Sequence, residues 1–292
     1  MSTHAKGQKR KVQIKQMVYK TKVKIASLYA VLFIAALSYG ALLISGAFRY
    51  REEDLEYTRK EMILAKGGVR AVFNDGYMAF YSGKRKITED SGLACFFSAG
   101  GVSYASFKAV WKIIKHTPVE FYAVCGWPGL PTRQDWHLSL GDNVVKWEVG
   151  MENSADITIE NMGMVFAFKN IYREWRSLYE QGDIPVLNMW QQRQDVEFHA
   201  YSSIIGLSVP GADSGSFPEI GVSLEDGGIL DEIVLSARRD MFSRGVFSAV
   251  SIGGAESFDI PKGQRAVLSS GEISLLPGEK ELSDYLNTAQ GN

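Results

Sequence analysis

Cysteine and histidine are scarce: two cysteines and four histidines in 292 residues. They make no CxxC pair and no Cys/His zinc spacing, so a structural zinc module and a dithiol redox motif are excluded. Also missing are a Walker-type phosphate loop, a dinucleotide glycine fingerprint, an HExxH helix, the class A β-lactamase motifs and any Asn-x-Ser/Thr sequon. These gaps remove the reactions that announce themselves by a local motif, and nothing calls for a cofactor or a metal. Neither charge dominates, with 32 Lys and Arg against 33 Asp and Glu, net −1. No internal repeat or low-complexity block is visible.

What is present begins with Ile25 to Phe48, a run of 24 residues without a charge, bracketed by Lys24 and Arg49. At about 1.5 Å per residue a helix of this length reaches roughly 36 Å, enough to cross a hydrocarbon core of about 30 Å. Residues 1–24 carry Lys6, Lys9, Arg10, Lys11, Lys15, Lys20, Lys22 and Lys24 and no acid. The positive-inside rule then puts that tail in the cytoplasm and residues beyond 48 on the far side. The expectation is a single-pass inner-membrane protein with a periplasmic or extracellular domain. The lysines would attract anionic lipid. Small residues Ala36 and Gly40, four apart, would let a second helix approach in the bilayer. Without the +8 tail the outer portion is −9, which argues against nucleic acid as its partner.

The remainder reads as α+β: a mainly antiparallel sheet with two amphipathic helices and a β-rich C-terminal part. The expected divisions are a basic tail (1–24), the span (25–48), a helical stalk or linker (49–68), an α+β domain (69–209) and a β-rich region (219–292), the last separate or part of the same domain. Val69 to Tyr81 has the pattern of a hairpin around Asn74-Asp75-Gly76. A second hairpin is expected around Gly141-Asp142-Asn143. Phe107, Val110, Trp111 and Ile114 fall at i, i+3, i+4, i+7 and predict one helix; Ile171, Trp175, Leu178 and Tyr179 predict another. A short polar helix is expected after Pro277.

Candidate chemistry is thin. Ser103, in Gly101-Val102-Ser103-Tyr104-Ala105, stands where a nucleophile elbow would sit, although the pattern wants Gly at 105. The competing reading makes Ser103 a helix N-cap. Asp135 and His137, two apart on a strand, would share a face and place an acid beside a base; His199 is a further candidate base. Trp127, in a loop with two prolines, is a candidate partner contact or a residue folded back on its own core. Cys95 and Cys125 lie in apolar runs, where a disulfide and two buried thiols are both open. The expected function is a non-enzymatic, membrane-anchored assembly or scaffold subunit of an envelope complex of the secretion, conjugation or pilus type. Its partners would be other membrane or envelope proteins, self-association included. The alternatives are an anchored hydrolase using Ser103 and a single-pass sensor or regulator.

Overall fold

The computed structural model describes residues 61–197, 203–211, 216–240, 245–254 and 256–288. These fall within one compact unit, Tyr57–Asn292. In chain order the strands are β1 (Met62–Lys66), β2 (Val69–Asn74), β3 (Tyr77–Ser82), β4 (Arg85–Lys86), β5 (Thr88–Ala99), β6 (Val102–Ala105), β7 (Val110–His116), β8 (Glu120–Gly126), β9 (Thr132–Leu140) and β10 (Val144–Asn153). They continue with β11 (Ile157–Lys169), β12 (Glu174–Arg176), β13 (Gln181–Asp183), β14 (Arg193–Asp195), β15 (Ile204–Ser208), β16 (Glu219–Leu224), β17 (Leu230–Arg239), β18 (Val246–Gly254), β19 (Ser257–Ile260) and β20 (Arg265–Leu276). Among the described residues one α-helix, α1 (Glu279–Thr288), closes the chain.

Among the described residues every pairing is antiparallel, and the strands make two sheets. One has eleven strands and runs β1-β2-β3-β5-β11-β18-β17-β14, with β4, β6 and β19 joined at the side. The other has nine and runs β13-β12-β15-β16-β20-β10-β9-β8-β7. Alternation decides which side chains meet between them. Along β9, Gln134, Trp136 and Leu138 are buried while Arg133, Asp135 and His137 point the other way. Trp136, Phe121, Leu138 and Val149 of the nine-stranded sheet share a core with Phe80, Leu93, Phe97 and Phe166 of the eleven-stranded sheet. Each such side chain contributes about 1.5–3 kcal/mol on burial. The fold is therefore a β-sandwich.

This corrects the α+β expectation. The helix read at 107–114 is a short 3₁₀ turn, Ser106–Lys108, followed by β7. Of its four apolar positions Trp111 is buried, but Val110 and Ile114 are 41% and 49% exposed. The run is rich in Val and Ile, which suit a pleated surface, and pairing with β8 overrides the helical spacing. The helix read at 171–179 is a turn and the strand β12, with Tyr172 and Trp175 buried and Tyr179 exposed. Met62–Lys66, read as the end of a helical stalk, is β1. Both predicted hairpins form, as β2–β3 across Asp75 (φ 46°) and Gly76 (φ 83°) and as β9–β10 with Asn143 at φ 59°. The helix after Pro277 also forms. The span expected at 25–48 lies outside the described residues, and no helix among those described is long and apolar enough to cross a membrane.

Candidate functional site

The polar side of the nine-stranded sheet carries the charged groups. The β9–β10 register sets His137 opposite Glu148, Asp135 opposite Gly150 and Arg133 opposite Glu152. On the other flank of β10, Arg265 at the start of β20 is opposite Glu152. Its side chain does not stay there. The guanidinium lies across β10, where a Cβ on Gly150 would come within 2.5 Å of it. Glycine at 150 is what lets the arginine reach β9.

Arg265 joins two carboxylates. Its Nε donates to Asp135 Oδ1 at 3.0 Å, and its Nη2 donates to Asp135 Oδ2 and Glu148 Oε1, both at 2.6 Å. Asp135 first, then Glu148, holds the guanidinium more firmly protonated than a free arginine. Arg133 donates to Glu152 Oε2 at 2.6 Å, and that pairing raises its pKa in the same sense. One strand further, Glu120 accepts from Lys115 and lies 3.1 Å from His137 Nε2. Lys115 and then His137 pull the Glu120 carboxyl below the usual glutamate range. Tyr122, opposite His137, sets its ring edge-on to the imidazole with centroids 6.0 Å apart.

The face is a row of planar donors and acceptors, each already oriented by a partner. Such groups suit a ligand rich in hydroxyls, because bidentate contacts to fixed carboxylate and guanidinium forks need little reorganisation. Glu148 and His137, an acid and a base, also stand opposite each other on neighbouring strands, Glu148 held by Arg265 and His137 beside Glu120. Among the described residues no cluster of three or more His, Cys, Asp or Glu side chains is placed to hold a metal ion.

The sequence candidates are scattered. Asp135 and His137 share this face, as their spacing implies. Ser103 lies on β6, exposed, with its Oγ 3.4 Å from Ser98 Oγ. Being mid-strand, it occupies neither a nucleophile elbow nor a helix N-cap. Trp127 is 6% exposed; its Nε1 donates to the Ala105 carbonyl and its ring packs edge-on against Phe97. Cys95 and Cys125 are free, buried thiols, and burial pushes the Cys95 pKa up to about 12. His199, Ala36 and Gly40 lie outside the described residues. Sequence reasoning missed Arg265, Glu148 and Glu120. Gly150, which the structure places inside β10, is the residue that could have pointed to a close approach.

No protein-family model matches the sequence, and no curated protein matches it. Solved structures do share the fold. A galactose mutarotase related enzyme from Lactobacillus acidophilus superposes with TM-score 0.52 at 8% identity, over 76% of this chain and 99% of that one. A galactose mutarotase-like protein from Lactobacillus casei gives 0.51 at 10%, over 74% and 100%. At such identities the likeness establishes the fold. It corrects the envelope-scaffold expectation together with its inner-membrane, periplasmic placement: the described residues form a β-sandwich of the fold those structures share, and no helix among them is long and apolar enough to cross a membrane. The hydrolase and sensor alternatives gain nothing from these findings.

Proposed function

We propose that the described sandwich recognises a carbohydrate on the polar face of its nine-stranded sheet. The observation that carries this reading is Arg265 tying Asp135 to Glu148, with His137 directly opposite Glu148. Vicinal hydroxyls donate to the carboxylates and accept from the guanidinium, and Tyr122 offers an aromatic edge beside them. The shared fold with proteins described as galactose mutarotase related supports a sugar over other polyhydroxy ligands.

Titration of the full chain with galactose and glucose, followed by NMR, tests this. Saturable shifts at Asp135, His137 and Glu148 are expected, and Arg265→Ala should weaken binding about tenfold or more, the effect of losing a charged hydrogen-bonding group. Binding that is unchanged in Arg265→Ala would remove the face from the account. The facing of His137 and Glu148 favours a second reading, acid–base interconversion of sugar anomers. One group would take the proton of the anomeric hydroxyl while the other gives one to the ring oxygen. Polarimetry on freshly dissolved α-galactose decides it: no acceleration over buffer leaves recognition alone.

A further inference from the structure

The opposite end of the same sheet holds a different arrangement. From Arg265 to Leu276, β20 spans roughly 36 Å at about 3.3 Å per residue, and Glu219 on β16 pairs with Leu276 at its far end. There a cavity of about 340 Å³ opens between β12, β15, β16 and the start of α1. That volume is at the lower end of the range of about 300–1,000 Å³ typical of ligand sites. Its polar lining is Glu174, Arg176, Ser208, Glu219 and Glu279.

Glu219 is only 4% exposed, and its Oε2 has no hydrogen-bond partner. Ser208 Oγ, 5% exposed as a residue, is likewise unsatisfied. A buried acceptor left unpaired costs about 1–3 kcal/mol. The surroundings supply little counter-charge to Glu219. Arg176 is engaged by Glu279, and Glu174 adds a third carboxylate. Tyr172, next to the site, donates its hydroxyl to the Pro218 carbonyl at 3.1 Å. Burial first, then Glu279 and Glu174, raise the Glu219 pKa; the Ser208 hydroxyl, near the carboxyl but outside hydrogen-bonding geometry, and Arg176 act against them.

We infer that this cavity binds a small organic cation bearing a primary ammonium group. An ammonium has three donors and no acceptor, which fits Glu219 Oε2, Ser208 Oγ and Glu174. An anion would meet three carboxylates and one arginine that is already paired. A neutral polyol would leave the carboxylates without compensation. A metal ion lacks a suitable ligand cluster among the described residues.

The test uses the full chain and ethanolamine, with ethylene glycol as the uncharged molecule of equal size. Ethanolamine should give saturable NMR shifts at Ser208, Glu219 and Gly278; ethylene glycol should give none. Affinity should fall as the pH is lowered through the titration of Glu219, and at a higher pH than an ordinary surface glutamate would impose. Glu219→Gln keeps the shape, removes the charge and should weaken binding about tenfold or more. Arg265→Ala, at the other end of the sheet, should leave it unchanged, which separates this site from the sugar face. Equal shifts with ethylene glycol, stronger competition by magnesium, unaltered binding in Glu219→Gln or pH-independent binding by the unmutated chain would each overturn the assignment. The pH series needs no variant, so a failure of Glu219→Gln to fold leaves the test intact.

Discussion

The two ends of the nine-stranded sheet face the same way, share one pleat and handle charge in opposite manners. At the Arg265 end the charged groups of the network are paired and most stay near water: the side chains of Arg265, Glu148 and Arg133 are 38%, 42% and 64% exposed, and Asp135, at 13%, is held by the guanidinium. At the Glu219 end a carboxyl is buried with one oxygen unpaired. The difference is coverage. Helix α1 lies over β15 and β16 through Leu282 and Tyr285, seated on Gly206 and Gly221, whose missing side chains leave the room. An open pleat keeps ion pairs that cost little to hold and are ready for a polar ligand. A covered pleat makes each unpaired oxygen expensive until something fills it.

The largest expected effect comes from lifting that cover. A Cβ at position 221 would come within 2.4 Å of the Tyr285 ring, so Gly221→Val should displace α1 from the sheet. Overpacking of this kind costs about 1–3 kcal/mol, and the burial of Leu282 and Leu286 is lost with it. We expect a total near 3 kcal/mol by chemical denaturation. Faster hydrogen exchange in α1 should accompany it, with sugar binding unchanged. A variant as stable as the parent would show that coverage does not divide the two ends.

Next is Gly150→Ala. The obstructed group here is the end of a flexible arginine, so the fold should lose only about 1 kcal/mol. The guanidinium, however, can no longer lie across β10. Sugar binding should fall as far as it does in Arg265→Ala. Arg265→Lys should fall between, because a lysine holds one carboxylate and cannot fork between two. Raising the salt from 0.1 to 1 M shortens the screening length from about 10 to 3 Å. It should loosen the exposed network and spare the buried carboxyl. Equal salt sensitivity at both ends would contradict the burial argument.

Much of the sandwich is legible in the chain. The apolar run Trp136 to Leu140 and the turn residues at 75–76 and 141–143 mark strands correctly, although β9 starts earlier, at Thr132 in a stretch that reads as a loop, and Pro277 precedes a real helix. The two false helices came from apolar spacing that a short strand also satisfies, with the choice made by strand pairing, of β7 with the next strand β8 and of β12 with β13 and β15. Asp135 and His137 could be placed on one face because strand geometry is local. Arg265 could not be joined to Asp135, 130 residues away, because that contact depends on a β-bulge and on sheet order. Glu219 gave no signal at all, since its burial is made by α1 and β12, which no nearby spacing reveals.

The smallest effect is a matter of sign, and it divides the two ends most cleanly. Glu120, on the exposed end, has its pKa lowered by Lys115 and His137. Its contribution is present above the ordinary glutamate value of 4.5 and is lost as the pH falls through the lower folded value. Glu219 is the reverse. Its folded pKa lies above 4.5, so the native state keeps a proton that the unfolded chain has released. Stability from this residue is full below 4.5 and declines as the pH rises through the higher folded value. Denaturation midpoints measured across the acid range should show this. Glu120→Gln should flatten the loss on the acid side, whereas Glu219→Gln should remove a loss on the alkaline side and leave the neutral-pH protein more stable than its parent. Added ethanolamine should oppose the Glu219 decline, because a bound ammonium favours the ionised carboxyl, and it should do nothing for Glu120. The same direction of change in both variants would mean that the two carboxyls share one environment, and the contrast between the open and the covered pleat would fail.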